Sequence, residues 1–132
     1  MGTWGDGNLQ NDSALDELSD CTSGLVKSLI DRAKRPSSRE GGDYDYTTPF
    51  VEFEIIFALD AKRLLESTAL PSPDEVEELK WDYMRDWDAN IDQMEPTPKH
   101  KKGRRRCILR TFDRFKRICL RIAERRAAFR LD

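Results

Sequence analysis

Apolar residues recur every three or four positions in four stretches of the chain, a spacing typical of amphipathic helices. The first stretch is predicted to form a helix that begins near Ser13, in a sequence resembling a capping box, and ends before Pro36. Gly24 and the polar residues before it, from Asp20 to Ser23, are where this helix could break in two. The fourth stretch begins at Thr97-Pro98 and is predicted to extend as far as Phe129.

The second and third helices have clearer start signals. Thr48-Pro49 puts proline at the first helical position, and Ser72-Pro73-Asp74-Glu75 is a full capping box. Apolar and polar residues partly alternate over residues 50–55, a pattern that fits either a helix or a short strand. A helix is favoured because the apolar pattern continues at helical spacing through Leu65. The core stripe of the third helix is predicted to comprise Val76, Leu79, Tyr83, Trp87, Ile91 and Met94.

These elements predict an all-α, single-domain fold over residues 1–132, an irregular up-and-down four-helix bundle. Residues 1–12 are predicted to form an N-terminal hook rich in glycine with one tryptophan. Residues 36–47 are predicted to form an acidic-aromatic loop, and residues 98–132 a basic C-terminal helix. The chain has 132 residues, 38% of them hydrophobic and 36% charged, which suits helices with narrow buried stripes.

Charge is divided unevenly along the chain. Residues 1–97 hold 9 basic and 22 acidic residues, whereas residues 98–132 hold 14 basic and 3 acidic residues. One interpretation is an anion or nucleic-acid site on the basic helix. The favoured interpretation is that the basic helix packs against acidic neighbours and the charges compensate within the fold. The candidate anion-binding residues are Lys101, Lys102, Arg104, Arg105 and Arg106.

Aromatic residues also lie among carboxylates, a combination that suits contact with a basic partner protein. The alternatives are an ordinary solvated face and, for the tyrosines at 44 and 46, side chains that fold back on the core. The candidate partner-binding residues are Asp43, Tyr44, Asp45, Tyr46, Trp81, Asp82 and Asp86.

Catalytic and metal-binding patterns are not found in the sequence. The only histidine is His100, so no catalytic Ser/His/Asp or Cys/His set and no zinc site can be assembled, and no cofactor is implied. The protein is therefore expected not to be an enzyme. The three cysteines, Cys21, Cys107 and Cys119, are expected to be small buried residues. With neither a signal peptide nor a membrane span predicted, a cytoplasmic location and no membrane partner are expected.

The opening Met1-Gly2-Thr3-Trp4-Gly5-Asp6-Gly7, followed by Asn11-Asp12-Ser13-Ala14 and Leu18, resembles a bacterial domain-of-unknown-function family. Members of that family begin Met-Gly-x-Trp-Gly-x-Gly and then carry an Asn/Asp pair. The resemblance covers about the first 18 residues and implies a structural hook, with Trp4 against the bundle. In size and charge the chain also looks like an immunity protein, which implies that it binds and neutralises a cognate toxin or effector protein.

Overall fold

The computed structural model describes residues 2–3, 5–34 and 46–131, and in that part of the chain it forms an all-α bundle of four helices. This confirms the predicted fold class. A short 3₁₀ helix, Ile91–Met94, follows the third helix. The four helices are α1 Asp12–Lys34, α2 Thr48–Ala61, α3 Pro73–Asn90 and α4 Pro98–Leu131.

The helix starts follow from local capping chemistry. Asn11 Oδ1 accepts a hydrogen bond from the Ala14 backbone N–H at 2.8 Å, so Asn11 caps α1, which begins at Asp12, one residue before the predicted Ser13. Helix α1 then continues without interruption through Gly24. The capping box of α3 is confirmed in part, because Ser72 Oγ accepts from the Glu75 N–H at 3.1 Å.

Residues 50–55 are helical, as favoured from the sequence. Helix α2 ends at Ala61, however, and the helical continuation to Leu65 is wrong. Arg63 has a φ of 57°, in the left-handed region that cannot continue an α-helix. Leu65 is still fully buried, because the turn that follows α2 carries it back onto the core.

Successive helices alternate in direction, but their neighbours differ from those of a simple up-and-down bundle. Helix α1 packs on α2 and α3, and α4 packs on α3 and α2. Helices α1 and α4 therefore occupy diagonal corners, as do α2 and α3. The fold is best described as two antiparallel helix pairs, α1 with α2 and α3 with α4, packed against each other.

An aromatic cluster fills the centre of the bundle. Phe53 lies with its ring centroid 5.2 Å from Phe112 and 5.4 Å from Phe115, and Phe50 lies 5.4 Å from Tyr83. These edge-to-face contacts join α2, α3 and α4, including the diagonal pair α2 and α3. A buried hydrogen bond of 2.6 Å between the Thr22 and Thr68 hydroxyls ties α1 to the turn after α2.

The N-terminal segment folds back on the start of α1, as the hook prediction implied. Thr3 pairs with Asn11 in a single antiparallel bridge, and the Gly2 N–H donates to Asp12 Oδ2 at 2.7 Å. The Asp12 N–H returns a bond to the Gly2 carbonyl at 3.0 Å. Gly2, Asn11 and Asp12 thus hold the turn closed. The expected packing of Trp4 lies outside the described residues.

Phe112→Ala is expected to lower the free energy of unfolding by about 3–5 kcal/mol, because it leaves a cavity among three buried rings. Urea unfolding followed by circular dichroism measures this. Val51→Ala is the control, since Val51 is 54% exposed and its change is expected to stay within about 0.5 kcal/mol. If Phe112→Ala lowers the free energy of unfolding by less than about 1 kcal/mol, as a surface substitution would, this ring is not central to the core.

Candidate functional site

The predicted acidic-aromatic residues do not form one surface in the structure. Asp43, Tyr44 and Asp45 lie outside the described residues, so their predicted contacts stay predictions. The remaining four residues divide into an exposed pair and a pair that joins a buried tyrosine to a half-buried carboxylate.

The buried Tyr46 pairs with the half-buried Asp86. Tyr46 is only 8% exposed, and its ring meets Tyr83 edge-on at a centroid distance of 6.1 Å. Its hydroxyl donates to Asp86 Oδ2 at 3.3 Å, and Asp86 Oδ1 lies 3.4 Å from the Asn90 amide nitrogen. The prediction of Tyr46 as an exposed contact residue is therefore wrong, and the alternative that it folds back on the core is correct. The ring joins the aromatic core while its hydroxyl keeps a carboxylate partner.

Trp81 and Asp82 form the exposed pair on α3. Trp81 is 47% exposed, and its Nε1–H donates to Glu77 Oε1 at 3.0 Å. The Lys80 ammonium lies 4.9 Å from the centre of the indole ring. Asp82 pairs with Arg85 at 3.1 Å across the helix surface. The indole is thus held in a fixed orientation while nearly half of it meets solvent.

Further carboxylates extend this exposed side of α3. They recur three or four residues apart, so they share the solvent side of the helix with Trp81. Each of them is exposed. We call this surface the Trp81 face, which comprises Asp74, Glu75, Glu78, Trp81 and Asp82.

Beneath Trp81, a network of opposite charges shifts two pKa values. Hydrogen bonds from Lys80 at 3.0 Å and from Lys116 at 3.1 Å lower the pKa of Glu77 to about 2. Burial opposes the ammonium of Lys80, but its bonds to Asp113 and Glu77 outweigh that effect and raise its pKa. The network therefore keeps both groups charged at neutral pH, and Glu77 keeps accepting from the indole.

Four ion-pair contacts run along the seam between α4 and α3 together with the 3₁₀ helix that follows it, which contributes Asp92. Each step toward the C-terminus of α4 is matched by an equal step toward the N-terminus of α3, as expected for antiparallel helices. The Arg105 guanidinium is bidentate, with both contacts to Asp88 at 3.1 Å. The four pairs are Lys101–Asp92, Arg105–Asp88, Lys80–Asp113 and Lys116–Glu77.

The C-terminal half of α4 is also neutralised from within. Arg121 pairs with Asp60 at the end of α2, and Arg125 pairs with Glu66 in the turn that follows. Arg126 donates to the backbone carbonyls of Glu66 and Thr68. The favoured interpretation of the charge division, compensation within the fold, is confirmed for these residues.

The predicted anion-binding set is therefore split. Lys101 and Arg105 belong to the seam, where each already pairs with a carboxylate, and their role as anion ligands stays a prediction. Arg104 lies over the Phe50 ring, 4.5 Å from its centroid, and donates to the Cys107 sulfur at 3.7 Å. Only Lys102 and Arg106 point away from the bundle. The reason is helical geometry, because consecutive residues of a helix lie about 100° apart and cannot share one side.

The outward basic residues continue beyond the predicted segment. They are spaced three or four residues apart, and all are exposed. Sequence reasoning missed Arg110, Arg114 and Arg117 because it followed the consecutive basic run that begins at Lys99 and not the helical period. We call this set the cationic row, which comprises Lys99, Lys102, Arg106, Arg110, Arg114 and Arg117.

The cysteines differ from one another in burial. Cys119 is buried, and desolvation raises the pKa of its thiol to about 12. Cys21 and Cys107 are exposed, so the expectation that all three are buried is wrong for these two. Both lie away from the apolar stripes of their helices. Over the described residues, no group of His, Cys, Asp or Glu side chains has a metal-binding arrangement.

None of the described helices is long and apolar enough to span a membrane. Comparison of the chain with protein-family models, curated proteins and solved structures finds no match. The resemblance of the first 18 residues to a family of unknown function thus remains an expectation from the sequence. The Trp81 face and the cationic row are two exposed surfaces among the described residues that could bind a partner.

Glu77→Gln is expected to flatten the loss of stability on acidification. The pKa of Glu77 is lower in the folded chain than its usual value near 4.5, so its ion pairs stabilise the fold above that pH. This contribution is lost as the pH falls from about 4.5 toward 2. Urea unfolding at several pH values in this window measures the slope for wild type and variant. Glu78→Gln, an exposed neighbour, is the control, and equal slopes for wild type and Glu77→Gln would contradict the prediction.

Proposed function

We propose that this chain is an immunity protein, which binds one partner protein through the Trp81 face and neutralises it. The observation that carries the proposal is the half-exposed indole of Trp81 among carboxylates. An exposed tryptophan is a frequent hot spot in protein interfaces, because a large rigid ring loses little conformational entropy on binding.

The setting of Trp81 supports its role as an anchor. Its hydrogen bond to Glu77 fixes the ring before any partner arrives, and Glu77 is itself held by Lys80 and Lys116. Preorganisation of this kind reduces the entropy cost of association. A partner that covers the ring would also shield the Glu77 carboxylate from water. Lys80 and Lys116 already pair with that carboxylate, so the partner need not supply a counter-ion for it.

The carboxylates around Trp81 indicate the charge of the partner. Glu78 and Asp82 lie within one turn of the indole, and Asp74 and Glu75 continue the negative surface toward the start of α3. Such a patch steers a basic protein toward the anchor and disfavours acidic ones. A small one-domain chain with an acidic surface suits stoichiometric blocking of a basic toxin, which is the immunity class that its size and charge resemble.

Trp81→Ala is expected to weaken partner binding by about 30-fold or more, as for a hot-spot residue worth about 2 kcal/mol. The tagged full chain first captures its partner from host cells, and the purified pair is then measured by calorimetry. Phe129→Ala is the matched control, since Phe129 is an exposed aromatic residue near the end of α4. Glu78→Lys with Asp82→Lys is expected to slow association most strongly at low salt.

Neutralisation needs a separate measurement. The captured partner, expressed alone in a surrogate cell, is expected to arrest growth, and co-expression of the wild-type chain is expected to restore it. A partner that binds through Trp81 but is harmless would refute the immunity class while keeping the surface. Equal binding by Trp81→Ala and wild type would refute the surface instead.

A further inference from the structure

The cationic row is a second exposed surface that the Trp81 face does not use. Its six side chains follow one side of α4 from Lys99 to Arg117. At a rise of 1.5 Å per residue, this is a line about 27 Å long. Helical spacing brings neighbouring members within about 5–6 Å at their Cβ atoms, so the line is continuous.

Counter-ions are missing from this row within the described part of the chain. None of its six members forms an ion pair there, whereas Lys101, Arg105 and Lys116 on the other side of α4 all do. The guanidinium carbon of Arg114 lies 4.2 Å from the centroid of the Phe57 ring. The nearby carboxylate of Asp113 is already bound to Lys80 at 2.8 Å. The row thus keeps its positive charges available to a ligand.

Gly103 provides a second, independent observation at the same place. It lies inside α4 between Lys102 and Arg106, where glycine costs about 1 kcal/mol relative to alanine. A Cβ built at Gly103 would meet nothing within 4 Å, so packing does not require a glycine here. Glycine at such a position lets a ligand approach the helix backbone closely. The flanking cations would then contact that ligand from both sides.

The described carboxylates of α3 and the 3₁₀ helix that contact α4 pair with Lys101, Arg105 and Lys116, not with the row. Glu54 of α2 lines the same surface depression as Arg106, Arg110 and Arg114, but no ion pair joins it to them. The exposed carboxylates Asp16, Glu17 and Asp20 are on α1, which is diagonal to α4 in the bundle. Their field at the row is screened, because the Debye length at physiological salt is about 8 Å and one helix diameter is about 10–12 Å. The net charge of −2 therefore does not describe the local field at the row.

We propose that the cationic row binds the phosphate backbone of nucleic acid. At 3.4 Å per base pair, a line about 27 Å long spans the phosphates of about eight base pairs, which is less than one turn of duplex. Four of the six members are arginines, whose guanidinium groups fit phosphate oxygens bidentately. An acidic protein segment fits less well, because the row contains no apolar anchor of the kind that protein interfaces need.

The first test compares two double variants of the same helix. The full-length chain is titrated into a labelled duplex of about 20 base pairs, followed by fluorescence anisotropy between about 50 and 200 mM salt. With all six phosphate contacts, the slope of log K against log salt is expected to be about −5. Arg106→Ala with Arg110→Ala should reduce that slope by about two units. Lys101→Ala with Arg105→Ala removes the same charge from the seam and should change the slope much less.

The second test uses the glycine. Gly103→Gln is expected to raise the melting temperature, because glutamine is a better helix former, and to weaken duplex binding by about tenfold. Gly24→Gln is the matched control, since Gly24 lies inside α1 and its built Cβ also meets nothing within 4 Å. It should raise the melting temperature and leave duplex binding unchanged. Higher stability with weaker binding is a result that loss of structure cannot produce.

Three results would overturn this proposal. The first is no duplex binding at about 50 mM salt, where phosphate contacts are strongest. The second is equal slopes for the two double variants. The third is a polyglutamate peptide that binds as tightly as the duplex, which would identify a carboxylate ligand. Trp81→Ala should leave duplex binding unchanged, so this test and that of the Trp81 face fail independently.

Discussion

Burial of the apolar stripe of α4 is the constraint on which the rest of this molecule depends. Ile108, Phe112, Phe115 and Ile122 are all fully buried, and two of them complete the aromatic cluster with α2 and α3. Their burial fixes the rotation of a helix that is otherwise strongly basic. Since side chains on a helix keep constant angles to one another, this one rotation also decides where every cation of α4 points.

Two groups of cations result from that rotation. Those beside the stripe meet carboxylates of α2, α3 and the connecting turn, as Arg105 meets Asp88. Exposed pairs of this kind each contribute little stability, but together they specify the antiparallel register of α3 and α4. Those opposite the stripe, such as Arg110, have no carboxylate partner among the described residues. In the sequence, α4 looks like one basic segment. In the structure, one side of α4 is neutralised by carboxylates and the opposite side keeps its positive charge.

The same reasoning separates the aromatic residues. Tyr46 adds to the core because its hydroxyl reaches Asp86, whereas Trp81 lies off the stripe of α3 and is held at the surface by Glu77. The two exposed surfaces that result have opposite charge and lie on different helices. A negative surface with an aromatic anchor suits a protein, and a positive row with a bare backbone at Gly103 suits a polyanion.

The sequence by itself determined the helices, because apolar spacing and capping residues such as Ser72 act over a few residues. It also determined that Trp81 and Asp82 are exposed, since both lie off the apolar stripe. Only the tertiary structure decided the end of α2 at Ala61, the burial of Tyr46 and which helices are neighbours in the bundle. The same holds for the separation of Arg105 from Arg106. These outcomes depend on which distant group packs against each residue, and a pattern along one chain does not contain that information.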